Sequence, residues 1–262
     1  MADFIIYEQA GAVVTLTLNN PDTRNALSHP DEYQQIIDAC ERINRDTSVG
    51  AVILTGAGSC FCAGGNVKDM KNQTGMFSGD PLEISDKYRH TLQKIPLALY
   101  NLEAPTIAAV NGPAIGAGCD LTLMCDIRLA SETAKFAESF VQLGIIPGDG
   151  GAWLLQRAVG LSKAYEMAFT GDTISAHEAL DCGLVSKVVA PEELMAEAQE
   201  MAARIVKNPS RTLRLSKKLM REGMHMRLDT LLDMSAAYQA MAHKTEEHLE
   251  QLDKISLGSS KK

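Results

Sequence analysis

Long hydrophobic runs are absent from this sequence of 262 residues, although 45% of its residues are hydrophobic. No run approaches the roughly 18 to 20 apolar residues that a membrane-spanning helix needs. The first residues, Met1-Ala2-Asp3, also lack the basic and apolar regions of a signal peptide. We therefore predict a cytoplasmic protein without a membrane span, with enough apolar residues to form a large core.

Clusters of residues that bind metals or form disulfides are equally scarce. The six cysteines lie mostly inside apolar runs, and Cys60 and Cys62 are not followed by a second pair at zinc-like spacing. The six histidines form no H-E-x-x-H motif. The cysteines are therefore predicted to be reduced thiols in the core, and no metal site is predicted.

Basic residues are outnumbered by acidic residues, 25 against 33, which gives a formal net charge of −8. An acidic chain of this kind is not expected to bind nucleic acid or an anionic membrane surface in general. Single lysines or arginines could still bind the phosphate groups of a small ligand.

Residues 104–126 are the most informative part of the sequence. Residues 105–110 are a short apolar run without alternation, which is typical of a strand buried on both faces. The run leads into the turn residues Asn111-Gly112-Pro113 and the small residues Gly116-Ala117-Gly118, before an apolar helix. The first turn of such a helix carries unpaired N–H groups that suit a negative oxygen. The glycine spacing does not match the dinucleotide motif G-x-G-x-x-G, and no P-loop lysine follows.

A second strand that ends in glycine occurs earlier in the chain. Residues 52–55 form another buried apolar run, and Ala63-Gly64-Gly65 precedes a predicted helix start at residues 66–70. Two such junctions can direct two backbone N–H groups at one oxygen atom, as in an oxyanion hole.

The two junctions carry motifs that resemble the signatures of the crotonase (enoyl-CoA hydratase/isomerase) superfamily. Residues 61–70 read F-C-A-G-G-N-V-K-D-M and are similar to the family pattern F-x-A-G-x-D-[IL]-x-x-M. Residues 111–130 read N-G-P-A-I-G-A-G-C-D-L-T-L-M-C-D-I-R-L-A and are similar to N-G-x-[AC]-x-G-[GA]-G-x-[ED]-L-x-x-x-C-D-x-x-x-A. The resemblance covers most of the chain, from residues 19–28 to residues 170–189.

This resemblance implies a CoA thioester substrate whose carbonyl oxygen is bound by two backbone N–H groups. From their places in the motifs, Gly65 and Ala117 would be the donors and Asp120 a catalytic acid. Arg24 lies in a family loop along the nucleotide end of the ligand, where it could bind phosphate, although a solvated loop arginine is the alternative. The other residues expected to contact the acyl-CoA are Ala26, Ala63, Gly64, Asn66, Val67, Lys68 and Phe140. Because coenzyme A is part of the substrate, no separate cofactor is expected.

The largest departure from the hydratase pattern concerns the second acid. Hydratases of the family usually have a glutamate where Phe140 stands here, four residues before Gly144. Glu138, two residues earlier, could approach the site after a local shift. Asp149 in the turn I-P-G-D-G-G is the other candidate, although family members with an acid in this turn usually have it one residue earlier, and an aspartate can simply stabilise a turn. The predicted catalytic acids are Asp120 and Asp149.

The predicted fold is α/β. A crotonase-like spiral of repeated strand-strand-helix units is expected over residues 1–195, followed by a helical lobe over residues 196–262. The resemblance implies a homotrimer or a hexamer. The apolar stripes of the lobe suit subunit packing, although they could instead close the core of the single subunit. The family's usual C-terminal motif, A-F-x-E-K-R, is missing, and residues 258–262 are predicted to be disordered.

Three local predictions concern the surroundings of the site. A helix is expected to start with a capping box over residues 28–31. Residues 71–83 are predicted to be a mobile loop that could gate the acyl pocket. A single helix is predicted over residues 85–100, kinked near its end by Pro96.

The resemblance implies an acyl-CoA-processing enzyme, and hydration of an enoyl-CoA is the predicted reaction. One alternative is migration of the double bond by a single base, as in an isomerase. The other is a non-catalytic or RNA-associated member of the family. The acidic net charge disfavours RNA binding, and an acid beside both oxyanion motifs favours catalysis.

Overall fold

The computed structural model describes residues 3–259 and contains two β-sheets. Its strands are β1 (Ile5–Ala10), β2 (Val13–Leu18), β3 (Ala51–Gly56), β4 (Thr106–Val110), β5 (Ala114–Ile115), β6 (Ile127–Ser131), β7 (Lys135–Ala137), β8 (Ile174–Ser175) and β9 (Lys187–Val189). The larger sheet has the order β1-β2-β3-β4-β6-β9, with an antiparallel β1–β2 hairpin and parallel neighbours elsewhere. The smaller sheet has the order β5-β7-β8. Its strands of two or three residues are too short for a periodic pattern to reveal.

Helices follow or separate most of the strands, so the α/β prediction is confirmed. They are α1 (Pro30–Arg45), α2 (Val67–Asn72), α3 (Pro81–His90), α4 (Lys94–Tyr100), α5 (Ala117–Leu123), α6 (Gly151–Val159), α7 (Leu161–Thr170), α8 (Ala176–Asp181), α9 (Leu194–Ile205), α10 (Ser210–Glu222), α11 (Leu228–Ala242) and α12 (Glu246–Ser259). None of these described helices is both long and apolar enough to cross a lipid bilayer.

The larger sheet is buried on both faces, which explains why its central strands lack polar alternation. In β3, Val52 and Leu54 belong to one apolar cluster, whereas Ile53 points to the opposite face and belongs to another. The second cluster is completed by α9, whose Ala198 and Ala202 are fully buried. The parallel register of β3 and β4 therefore brings the carboxyl ends of both strands to the same edge of the sheet.

Two predictions of helix boundaries are wrong. The single helix predicted over residues 85–100 is two helices, α3 and α4, and the break lies at residues 91–93. Pro96 has no N–H for the carbonyl of Leu92, and its ring would clash with that carbonyl, so a continuous helix is disfavoured here. The helix α1 starts after His29 rather than Ser28, and Glu32 accepts hydrogen bonds from the N–H groups of both residues.

The predicted loop over residues 71–83 is also more ordered in secondary structure than expected. α2 extends to Asn72, residues 75–77 form a turn of 3₁₀ helix, and α3 starts at Pro81. The side chain of Asp80 caps α3 by accepting from the N–H groups of Leu82 and Glu83. The mobility of this segment stays a prediction.

Two buried cations attach α10 to the segments just before β3, β4 and β6. Arg214 of α10 donates to Glu103 at 2.9 Å and to the backbone carbonyls of Asp46 and Val49. Lys217 contacts Asp126 at 2.6 Å. The division into a core over residues 1–195 and a lobe over residues 196–262 stays a prediction, and α9 lies on the sheet rather than apart from it. α12 runs through residues 258 and 259, so these two are helical rather than disordered, and residues 260–262 lie outside the described part.

Candidate active site

The two strand–glycine–helix junctions contact each other directly. The N–H of Ile115 donates to the carbonyl of Cys62 at 3.0 Å, and the N–H of Cys62 donates to the carbonyl of Pro113 at 3.2 Å. Gly64, with φ of +84°, lies where an added Cβ would be 3.4 Å from the backbone nitrogen of Ala117. The backbone of one junction therefore passes close beside the first residue of α5.

Glycine is required for this contact at Gly118 as well. A Cβ atom on Gly118 would collide with the carbonyl oxygen of Cys62. The first turn of α5 can therefore lie against the segment after β3. The pattern of small residues in both motifs thus has a steric cause that can be seen in the backbone.

Two backbone donors lie unused at this contact. Within residues 3–259, neither the N–H of Gly65 nor the N–H of Ala117 donates a hydrogen bond to a protein acceptor. Ala117 is the first residue of α5, where a helix leaves its N–H groups free. Both residues line the same cavity. Such a pair can bind an oxygen atom on which negative charge develops.

The cavity has a volume of about 310 Å³. Its wall combines the two donors with one carboxyl group, that of Asp149, and with Phe140 at the position of the usual second glutamate. The remaining wall is mainly apolar and includes Leu27, Met70, Met76, Phe77, Tyr88, Leu92, Leu143, Ile145 and Ile146. The cavity is therefore suited to an apolar group that carries a carbonyl.

The predicted site residues fall into two sets in the structure. Those that line the cavity are Ala63, Gly64, Gly65, Val67, Ala117, Phe140 and Asp149. Those that do not are Arg24, Ala26, Asn66, Lys68 and Asp120. Arg24 and Lys68 are exposed, and Ala26 is buried. The side chain of Asn66 caps α2 by accepting from the N–H groups of Lys68 and Asp69.

Asn25 supports the site, and sequence reasoning missed it. Its side chain is fully buried and donates to the backbone carbonyls of Ala57 at 2.9 Å and Cys60 at 2.8 Å. The φ of Asn25 is +56°, a left-handed conformation that asparagine tolerates better than most residues. The residue joins the loop that carries Arg24 to the segment after β3. The asparagine in the segment T-R-N-A-L was the one feature of the sequence that could have indicated this role.

Three buried carboxyl groups meet beside Gly151. Asp120 is 0% exposed, Glu138 is 1% exposed and Asp149 is 6% exposed. Within the described residues, the carboxyl oxygens of Asp120 and Glu138 and Oδ1 of Asp149 form no hydrogen bond of regular geometry with a donor. A Cβ atom on Gly151 would collide with Oδ1 of Asp120 and lie 2.9 Å from Oε2 of Glu138. Gly151, the first residue of α6, therefore allows Asp120 of α5 and Glu138, which follows β7, to lie close together.

The acids differ in how strongly they hold a proton. Burial raises the pKa of Asp120 well above its usual range, and the neighbouring carboxyl groups of Glu138 and Asp149 raise it further. Burial also raises the pKa of Glu138, but the nearby Cys119 thiol and Asp120 carboxyl, acting as donors, lower it. Two ionised carboxylates cannot hydrogen-bond to each other, so a hydrogen bond between Asp120 and Glu138 requires a proton on one of them. The stronger rise in the pKa of Asp120 favours the proton on Asp120. Burial raises the pKa of Asp149 to about 6.

Comparison with known proteins gives consistent matches over nearly the whole chain. The family model described as "Enoyl-CoA hydratase/isomerase" matches residues 8–254. The short-chain-enoyl-CoA hydratase of Clostridium acetobutylicum is 40% identical, covering 93% of this chain and 90% of that protein. The 1,2-epoxyphenylacetyl-CoA isomerase of Escherichia coli is 34% identical, covering 95% and 94%. A crystal structure of enoyl-CoA hydratase from Bacillus anthracis superimposes with a TM-score of 0.90 at 32% identity, covering 97% and 96% of the two chains.

The raised pKa of Asp149 predicts a pH-dependent loss of stability. A carboxyl group whose pKa is raised on folding stabilises the folded state below its unfolded pKa, and this stabilisation is lost as the pH rises through the folded pKa. A rise from 3.8 to about 6 corresponds to about 3 kcal/mol, lost between about pH 4 and pH 6. Asp149→Asn does not titrate and should escape this loss.

The effect is measured as the free energy of unfolding in urea at both ends of this pH range. The proteins compared are wild type, Asp149→Asn and the control Asp181→Asn. As the pH rises, we expect the free energy of unfolding of Asp149→Asn to increase by about 2 to 3 kcal/mol relative to that of wild type. Asp181 is exposed, so Asp181→Asn should show the same pH dependence as wild type. If the difference in free energy of unfolding between Asp149→Asn and wild type does not change with pH, the pKa of Asp149 is not raised on folding.

Proposed function

Because the chain belongs to the enoyl-CoA hydratase/isomerase family, we propose that it adds water across the double bond of an enoyl-CoA thioester. The observation that carries this proposal is the pair of unused N–H groups, on Gly65 and Ala117, in the wall of a cavity that also contains the carboxyl group of Asp149. The relatives named above are enzymes, which favours catalysis over the RNA-associated alternative.

The first role of the site is to polarise the thioester. The two N–H groups bind the carbonyl oxygen and stabilise the negative charge that develops on it when the β carbon is attacked. One donor of this kind typically contributes about 3 to 4 kcal/mol of transition-state stabilisation. The mainly apolar wall strengthens the effect because it keeps water away from the charge.

The second role is to move two protons. Asp149, with a pKa of about 6, is mostly ionised at neutral pH and takes a proton from water as the water oxygen bonds to the β carbon. Asp120, held neutral by burial, gives its proton to the α carbon and becomes a carboxylate. The proton on Asp149 then passes to Asp120, which restores the starting state of both groups. Asp120 lies three residues after Ala117 and so on the same face of α5. Its carboxyl group lies behind the cavity wall beside Gly151, so proton delivery requires rotation of the side chain.

One observation favours a second candidate reaction, the migration of the double bond. Among the described residues that line the cavity, Asp149 provides the one carboxyl group, and Phe140 contributes no acid. A single base can remove a proton from the γ carbon and return it to the α carbon. The E. coli relative named above is a 1,2-epoxyphenylacetyl-CoA isomerase, so relatives of this chain include an isomerase of a different substrate. Hydration needs both aspartates in our proposal, whereas isomerisation needs Asp149 alone.

The residues proposed to contact the coenzyme A part of the ligand are chosen by the charge and exposure of their side chains. Arg24 and Lys68 are exposed cations outside the cavity, and we propose that they contact the phosphate groups of coenzyme A. Asn66 would then act on the ligand indirectly, by fixing α2, which starts at Val67 in the cavity wall. Coenzyme A arrives as part of the substrate, so no separate cofactor is proposed. A cytoplasmic location is retained as part of the same proposal.

Product analysis by mass spectrometry tests the reaction. With a short-chain enoyl-CoA such as crotonyl-CoA, hydration adds the mass of one water, whereas isomerisation leaves the mass unchanged. We expect Asp149→Asn to lose at least about 100-fold in turnover, the low end for general acid–base catalysis. Asp120→Asn should lose hydration to a similar extent but retain any isomerisation, and Asp181→Asn serves as the control. Wild-type hydration by Asp149→Asn would contradict the proposal.

We also propose that the chain assembles as a homotrimer or a hexamer. The support is a set of exposed apolar side chains on the C-terminal helices, including Leu228, Leu232 and Met241 on α11. Light scattering at micromolar concentration should give three times the subunit mass of 28.3 kDa, or a multiple of that value. Leu232→Glu should lower the mass, whereas Leu82→Glu, at an exposed leucine of α3, should not. A wild-type monomer would refute the assembly.

A further inference from the structure

We propose that Glu138 is a positioning residue that shares one proton with Asp120 and thereby keeps Asp120 in its acid form. The inference rests on the proposed function in one respect, namely that Asp120 supplies the proton to the α carbon. Glu138 stands neither at the usual position of the second acid, which is Phe140 here, nor in the wall of the acyl cavity.

The carboxyl groups of Asp120 and Glu138 lie close together and are shielded from solvent. Both residues are buried, and their side chains lie within hydrogen-bond reach of each other beside Gly151. None of the four oxygen atoms forms a hydrogen bond of regular geometry with a donor in residues 3–259. The Cys119 thiol near Glu138 and the Gly151 N–H near Asp120 are the donors that act on them. Two ionised carboxylates in such a place would lack solvent and repel each other, which is strongly unfavourable. One proton held between them removes the repulsion and gives each group a hydrogen-bonding partner.

The groups around Asp120 and Glu138 determine which of the two carboxyl groups holds the shared proton. From α5, the thiol of Cys119 acts as a donor to Glu138, which favours the negative charge on Glu138. The N–H of Gly151 acts in the opposite sense on Asp120, but burial raises the pKa of Asp120 more strongly than that of Glu138. The turn before α6 contributes Asp149, a negative group that acts on both residues. Tyr165 of α7 lines the same groove as Glu138, and Arg128 of β6 acts electrostatically on Cys119. With the charge on Glu138, the shared proton belongs to Asp120.

Glu138 does not line the acyl cavity. It lines a separate groove of about 360 Å³, whose other residues are mostly apolar and include Ile145, Leu155 and Phe169. Asp149 is in the acyl cavity but not in this groove, and Glu138 is in the groove but not in the cavity. Glu138 therefore acts through Asp120. Its negative charge keeps the proton on Asp120 to higher pH than burial alone would.

The test is a pH titration of the buried carboxyl groups by infrared spectroscopy on the protein without substrate. Wild type should show the absorption of a protonated carboxyl group at neutral pH, and Asp120→Asn should abolish it. In Glu138→Gln, which keeps the shape of the side chain, the band should titrate at least about 1 pH unit lower because the negative neighbour is gone. The control is Glu132→Gln, at an exposed glutamate, which should titrate like wild type.

An unchanged titration midpoint in Glu138→Gln would overturn the proposal. Persistence of the band in Asp120→Asn would also overturn it, and this second variant decides the matter if Glu138→Gln does not fold. The alkaline limb of the pH profile of kcat/KM should move down with the infrared midpoint, which a purely structural role of Glu138 would not produce. Because the infrared titration needs no substrate, a failure of the proposed reaction would leave its result unaffected and would show instead as inactivity of wild type on enoyl-CoA thioesters.

Discussion

The close backbone contact between the two strand–glycine–helix junctions is the constraint on which the site depends. The parallel register of β3 and β4 brings both junctions to one edge of the sheet. Gly64 and Gly118 then allow the backbones to meet, because a Cβ atom at either position would run into the facing backbone. The N–H groups of Gly65 and Ala117 consequently line the same cavity. A fixed pair of donors of this kind needs no reorganisation when charge develops on a bound oxygen.

The same packing creates the acid cluster at a cost in stability. Gly151 lets α6 approach α5 so closely that Asp120 and Glu138 are buried without a hydrogen bond of regular geometry to either carboxyl group. A buried polar group without a partner typically costs about 1 to 3 kcal/mol. A folded protein tolerates this cost where the perturbed acids are useful, and buried carboxyl groups whose proton affinities are pushed apart can divide acid and base roles. The cation pairs of Arg214 and Lys217 show that elsewhere the chain gives its buried charges partners.

Local patterns in the sequence were sufficient to predict the main strands and the glycine junctions. They were insufficient to predict that Asp120, Glu138 and Asp149 lie close together. The β1–β2 hairpin, β3, β4 and the glycine junctions follow from hydrophobic periodicity and from residues that are close in sequence. The meeting of Asp120, Glu138 and Asp149 depends on three segments that are joined only through the tertiary fold, so Glu138 was a weak candidate in the sequence. The role of Asn25 was hidden for the same reason, since its partners follow β3. The break before Pro96 was misplaced because proline constrains the preceding turn as well as its own position.

The most direct test of the central claim compares Gly65→Pro with Gly65→Ala. Both variants add a Cβ atom, which would meet the flexible end of Met70 at 2.8 Å, but only proline also removes the N–H group. The measurement is kcat/KM on a short-chain enoyl-CoA, with circular dichroism to confirm that both variants are folded. The account predicts that proline lowers kcat/KM about 100- to 1000-fold relative to alanine, the usual effect of losing one oxyanion donor. Equal kcat/KM values for the two folded variants would contradict the assignment of Gly65 to the oxyanion hole.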